Sequence, residues 1–138
     1  YVVKYYNEKG INMNAALAID AYSKIKNETH SEERVGHDVI GAALKQLKTN
    51  LHILTSSYEK KDRVKAFERA LVTIYFLQKG LDLSKGGDLA KNLFRLYEFC
   101  RLTVIKNGIE NCRESLEIES CEKFISDIFD SWSLISKV

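Results

Sequence analysis

The spacing of apolar residues constrains this chain more than any other feature. From His37 on, Ile40, Leu44, Leu47, Leu51, Leu54 and Tyr58 recur at alternating steps of four and three. A second run carries Val64, Phe67, Leu71, Ile74 and Leu81, interrupted by Gln78. A third carries Leu89, Leu93, Leu96, Cys100 and Thr103, flanked by Ala90, Tyr97 and Val104. A fourth carries Ile118, Cys121, Ile125, Ile128, Trp132 and Ile135. This spacing gathers the apolar side chains on one face of a helix, whereas on a strand they would alternate between faces. An alternating 3–4 seam also lets neighbouring helices pack at small crossing angles.

The breaks agree with the stripes. Ser31 followed by two glutamates reads as a helix N-cap with acids in the first turn. Residues 56–62 separate the first two long segments, and Lys79-Gly80 and Lys85-Gly86-Gly87-Asp88 bracket a turn between the second and third. Lys106-Asn107-Gly108 places a base in a last helical turn and a glycine at its end. The 138 residues include seven glycines and no proline, too few turn formers for a sandwich or barrel. Short connections force antiparallel neighbours. The expected fold is all-α: an antiparallel up-down four-helix bundle. A short additional N-terminal helix is expected over residues 14–26, through Ala16, Ile19, Ala21 and Tyr22. Residues 1–138 form one domain in this reading, with 1–26 as a variable leading segment.

Several function classes fall away. The net charge of +2 and the absence of any run of five like charges argue against a nucleic-acid face. No apolar stretch reaches the length that spans a bilayer, so no membrane insertion is expected. The opening Tyr1-Val-Val-Lys-Tyr-Tyr lacks the pattern of a secretory signal. Cys100, Cys112 and Cys121 are odd in number and without CxxC spacing, and are read as reduced, small apolar residues of a cytoplasmic protein. His30, His37 and His52 stand in no metal-ligand arrangement, and His37 falls on the first seam as a packed histidine. Asp127 and Asp130 read as solvated helix acids, and no Lys-Ser/Thr follows Gly86-Gly87 to make a phosphate loop. No catalytic residue, metal or cofactor is expected.

One stretch is more specific than periodicity. Residues 80–99, Gly-Leu-Asp-Leu-Ser-Lys-Gly-Gly-Asp-Leu-Ala-Lys-Asn-Leu-Phe-Arg-Leu-Tyr-Glu-Phe, resemble the signature of the flagellin-specific export chaperone family, FliS. That signature has a leucine-rich turn, a Gly-Gly core and Ala-x-Asn-Leu-x-x-Leu-Tyr at a helix start, matched here by Leu81, Gly86, Gly87, Ala90, Asn92, Leu93, Leu96 and Tyr97. Residues 31–47 resemble the family's second helix, with Glu32 where proline is usual, and Trp132 fits a tryptophan of its last helix. The resemblance is weaker before Ala21.

The resemblance implies a flagellar export chaperone whose client is the disordered C-terminal segment of flagellin, held in apolar grooves until secretion. Components of the export apparatus are further candidate partners. It makes Ile40, Ala43, Leu44, Leu47, Leu81, Leu83, Leu89, Asn92, Leu93 and Tyr97 the candidate partner-binding residues, Gly86 and Gly87 the structural turn, and Tyr22 a candidate cap over an empty groove. Val39, Ala43, Ile53, Ala70, Phe76, Leu77, Phe94, Phe99 and Phe129 lie off the main seams and supply spare apolar surface. The alternative is a helical-bundle adaptor for another flagellar export or regulatory protein.

Overall fold

A computed structural model describes residues 36–134 of the chain, and of His37 the backbone alone. The described residues form four α-helices and no strand: α1 His37–Ser56, α2 Lys60–Lys79, α3 Gly87–Asn107 and α4 Leu116–Leu134. The expected leading helix with Tyr22, the Ser31 cap, and Ile135 lie outside the described residues.

Each helix carries acids in its first turn, where the partial positive charge of the helix end favours them: Asp38, Asp62, Asp88, and Glu117 with Glu119. The α1–α2 connection is only residues 57–59, shorter than expected, because Lys60, Lys61 and Asp62 already belong to α2. Residues 108–115 join α3 to α4, and the Ser115 hydroxyl accepts the Ile118 amide at 3.3 Å to cap α4. That loop is tied to the end of α1 by the Glu114 amide, which donates to the Thr55 carbonyl at 3.1 Å.

The core lies between all four helices. Ile40, Leu44, Leu47, Leu51 and Leu54 of α1 are fully buried, as are Ile118, Cys121, Ile125, Ile128 and Trp132 of α4. Each buried aliphatic side chain contributes about 1.5–3 kcal/mol relative to exposure. From α3 come Ala90, Leu93, Leu96, Tyr97, Cys100 and Val104. Contacts run in opposite sense along α1 and α4: Gly41 lies against the Trp132 ring, Lys48 over the Phe129 ring, and His52 beside Glu122. The same sense holds for α2 and α3: Gln78, near the end of α2, meets Phe94 and Glu98 in α3, while Arg63, near its start, meets Ile109 just past the end of α3.

Two expectations need correction. On α2 the buried stripe is Arg63, Ala66, Ala70, Ile74 and Leu77, one position back from the expected Val64, Phe67 and Leu71, which are half-buried. Ala70 and Leu77 are therefore core rather than spare surface. The small side chains at 66 and 70 face inward, and the larger Phe67 and Leu71 pack on the core's flank. Tyr58 is not the last seam residue of α1 but 78% exposed, since the helix has ended two residues earlier; its ring carries the Arg113 guanidinium 3.9 Å from the centroid.

Candidate functional site: the outer faces of the bundle

The turn between α2 and α3 follows from its sequence. The Asp82 carboxylate accepts the amides of Ser84 and Lys85 at 3.0 and 2.9 Å, and the Gly86 amide donates to the Asp82 carbonyl at 2.7 Å. The two glycines then do different jobs. Gly86 has an ordinary φ of −72°, but a Cβ there would stand 2.4 Å from the Ala90 Cβ and 2.6 Å from the Asp82 carbonyl oxygen. Gly87 has open space around it and a φ of +61°, which side-chain-bearing residues resist. Close approach belongs to the first glycine and the left-handed backbone to the second.

The expected binding residues, which lie on α1, in this turn and on α3, divide by depth. Ile40, Leu44, Leu47, Leu81, Asn92, Leu93 and Tyr97 are buried. Ala43 and Leu89 are half-buried, and Leu83 is exposed in the turn. Of the residues off the seams, Val39 and Phe76 are exposed, while Ile53, Phe94, Phe99 and Phe129 pack half-buried against the core.

A second stripe on α1 carries the site that the main seam conceals. Val39, Ala43, Gln46, Asn50 and Ile53 repeat the same alternating steps one residue behind the core stripe. Three of them, Gln46, Asn50 and Ile53, line the α1–α2 junction, where two recesses lie. One, of about 560 Å³, is lined by Gln46, Glu68, Arg69, Val72 and Thr73. The other, of about 180 Å³, is lined by residues including Asn50, Ile53, Ala66 and Arg69. Arg69 belongs to both, so they form one groove. Its α2 side continues into Phe76, four residues beyond Val72. Sequence reasoning missed Gln46, Arg69, Val72 and Thr73; the offset stripe on α1 was a signal for Gln46, and no comparable signal marked the three residues of α2.

The opposite side of α1 is polar. There a recess of about 430 Å³ between α1 and α4 is lined by residues including His52, Glu119, Glu122 and Asp127, with His52 Nδ1 3.3 Å from Glu122 Oε1. Among the described residues, no group of three or more His, Cys, Asp or Glu side chains could hold a metal ion. The three cysteines are free and buried. A hydrogen bond with Cys121, together with burial, pushes the Cys100 thiol well above its ordinary range, and burial pushes Cys112 up.

Two polar clusters brace the frame of the groove. Arg63, 8% exposed, donates from Nη1 to the carbonyls of Ser57 and Tyr58, each at 3.0 Å, and from Nε to that of Ile109 at 3.3 Å. It thus ties the α1–α2 connection to the α3–α4 loop. Glu98 accepts two hydrogen bonds from Arg101, at 2.8 and 2.6 Å, and one from Gln78 at 3.0 Å. The paired guanidinium holds the Glu98 carboxyl down at about 2 against the opposing effect of burial. No helix among the described residues is long and apolar enough to cross a membrane.

Comparison with known proteins agrees with this reading of the α2–α3 signature. The family described as "Flagellar protein FliS" matches residues 13–138. The chain is also similar to the flagellar secretion chaperone FliS of Salmonella typhimurium (strain LT2), 28% identical over 128 residues, covering 90% of this chain and 93% of that protein. No solved structure matches the chain. With a family match that runs from before the described helices through the last of them, the chain belongs to the FliS family of flagellar proteins.

Proposed function

We propose that this protein is a cytoplasmic flagellar export chaperone that binds the disordered C-terminal segment of flagellin and keeps it from polymerising before secretion. The observation that carries the reading is the α1–α2 groove, whose mixed apolar and polar lining lies beside a complete core rather than within it. The opposite-sense contacts between α1 and α4, and between α2 and α3, support an antiparallel up-down bundle as its frame. Family membership and the name of the Salmonella relative support the chaperone role.

The buried members of the expected set, Ile40, Leu44, Leu47, Leu81, Asn92, Leu93 and Tyr97, act by holding the helices that frame the groove. Ala43, Leu83 and Leu89 reach the surface and join Val39, Ile53 and Phe76 in meeting the client. An amphipathic segment enters such a groove as short helical pieces, ordering as it binds and driven by apolar burial. The role is one of binding, without catalysis or a cofactor. Tyr22 lies outside the described residues; as a cap over the empty groove it would compete with client, so deleting residues 1–26 should raise client affinity, and an unchanged affinity would remove the cap.

Titration calorimetry against a peptide covering the C-terminal segment of flagellin tests the reading. Saturable stoichiometric binding with a negative heat-capacity change, weakened by Phe76→Glu in a protein that remains folded, supports it. A folded protein that ignores a soluble peptide refutes it and turns attention to an adaptor for another export or regulatory protein.

A further inference from the structure

The three cysteines take no part in the groove, yet the fold brings two of them together. Cys100 lies on the buried stripe of α3, with Leu93, Leu96, Tyr97 and Val104, and Cys121 on that of α4, with Ile118 and Ile125. Both are fully buried. From the 108–115 loop, contacts run in opposite sense along the two helices. Beside the loop Lys106 Nζ stands 3.3 Å from Glu117 Oε1, and farther from it the Cys100 thiol shares a hydrogen bond with Cys121. Cys100 is six residues back from Lys106 and Cys121 four residues on from Glu117, about 9 and 6 Å along their helices from that ion pair. The two thiols therefore enter the α3–α4 interface at nearly the same level. Cys112 is placed apart, in the loop, where its thiol donates to the Ile109 carbonyl at 3.3 Å.

Two buried thiols in contact have a reaction open to them that a single buried thiol lacks. Only a short approach separates thiols in hydrogen-bond contact from the S–S length of a disulfide, about 2.05 Å. The hydrogen bond with Cys121, and then burial, hold the Cys100 thiol well above its ordinary range, so near neutral pH it stays protonated and unreactive while the helices are closed. Local opening of α3 from α4 admits an oxidant. With hydrogen peroxide, one thiol reacts as its thiolate on the O–O bond and becomes a sulfenic acid, and the other oxygen leaves as water. The second thiol attacks the sulfenic sulfur, the S–S bond forms, and the sulfenic oxygen leaves as a second water. The two thiols give up two electrons and two protons, and the peroxide takes up all four.

We propose that Cys100 and Cys121 form a redox-sensitive lock, in which a hydroperoxide joins them by one disulfide that ties α3 to α4 and leaves Cys112 a thiol. The bond closes a loop of about 20 residues and stabilises the fold by constraining the unfolded chain. The residues that line the α1–α2 groove belong to α1, α2 and their connection, so the lock and the binding face are separate and the proposal stands whatever the client.

Treating the folded full chain with hydrogen peroxide, then unfolding it in excess alkylating reagent, tests the lock by intact mass. The expected product has lost two hydrogens and takes up one alkyl group, where the untreated chain takes up one on each of its three cysteines. Arg101, Lys106 and Arg113 separate the cysteines, so tryptic peptides prepared without reductant should show a single link, Cys100 to Cys121. The oxidised chain should melt about 10 °C higher, and a dithiol reductant should return it to its starting temperature. Cys112→Ala should form the same link; Cys100→Ala, or Cys121→Ala should the first not fold, should form none. A treated chain that still takes up three alkyl groups overturns the proposal. So does a link through Cys112 or between two chains, oxidation that stops at sulfinic or sulfonic acids, a Cys100–Cys121 link that forms only in urea, or one that leaves the melting temperature unmoved.

Discussion

The two glycines of the α2–α3 turn provide a sharp test, because the structure gives them different reasons to be glycine. An added Cβ at Gly86 would meet the Ala90 Cβ at 2.4 Å and the Asp82 carbonyl oxygen at 2.6 Å. Both neighbours belong to the backbone or lie one bond from it, so neither can turn aside as a long side chain would. Overpacking of this kind costs about 1–3 kcal/mol, and with two obstacles the Gly86→Ala change should fall near the top, at about 3 kcal/mol. For Gly87→Ala the space is open, and only the left-handed φ of +61° resists. That costs about 1–2 kcal/mol, partly offset by about 0.4–1 kcal/mol from a less flexible unfolded chain. The same offset applies at Gly86, so the net costs are about 2.5 kcal/mol for Gly86→Ala and about 1 kcal/mol for Gly87→Ala. For a chain of this size each kcal/mol lowers the melting temperature by about 3–4 °C, so the two variants should separate by about 5 °C. Urea unfolding followed by circular dichroism measures both, and an unchanged slope confines the effect to stability. Asparagine tolerates the left-handed region, so Gly87→Asn should recover part of the Gly87→Ala loss, while Gly86→Ser should be as damaging as Gly86→Ala. Equal losses at the two positions, or a larger loss at Gly87, would refute this division of labour.

Arg63→Leu removes three hydrogen bonds to backbone carbonyls at one end of the bundle and should cost about 2–3 kcal/mol in urea unfolding. Lys60→Ala, which breaks only the exposed pair with Glu110, should leave the midpoint nearly unmoved; the reverse order would contradict the bracing role of Arg63. The Glu98 carboxyl is depressed in the folded state to about 2 from an ordinary 4.5, so its contribution is complete above about pH 4.5 and is lost as pH falls towards about 2. Glu98→Gln should therefore flatten stability against pH in that window and leave its shape near neutrality unchanged; parallel curves would show that the pair contributes nothing. The buried cysteines, with Cys100 and Cys112 pushed up, should react with a thiol reagent only slowly in the native protein and fully in urea, and rapid native labelling would contradict their burial.

What could be read from the sequence follows from how regular each stripe is. On α1 and α4 the large aliphatic residues fall on one seam, and that seam is the one buried. On α2 the eye follows Val64, Phe67 and Leu71, but the face turned inward is Arg63, Ala66, Ala70, Ile74 and Leu77. Hydrophobic size favours the wrong stripe because small residues mark where a helix packs closely, and periodicity alone gives alanine little weight. Arg63 is hidden from any pattern, since its burial depends on three carbonyls brought together from two loops far apart in sequence. Gln78 reads as an interruption of the seam, yet it is buried because Glu98 and the Phe94 carbonyl receive its amide. Residues 80–86 connect α2 to α3, but the sequence of the signature could not tell the steric glycine from the conformational one.

The candidate binding residues illustrate a more general difficulty, for the residues that make a stripe conspicuous are those that pack. A bundle that also binds needs a second, weaker stripe, because a strongly apolar face left open would associate indiscriminately. On α1 that stripe lies one residue behind the core seam and keeps its period: Val39, Ala43, Gln46, Asn50 and Ile53 beside Ile40, Leu44, Leu47, Leu51 and Leu54. Gln46 keeps the open face wettable, while Asn50 is buried beneath it with its side-chain amide donating to the Gln46 carbonyl at 2.9 Å, so that polar group costs little. Replacing Gln46 by leucine should therefore tighten binding of an apolar segment and at the same time promote self-association. Under the proposed chaperone role, the value of Gln46 lies in the compromise: a face apolar enough to be covered by a client and polar enough to be left uncovered.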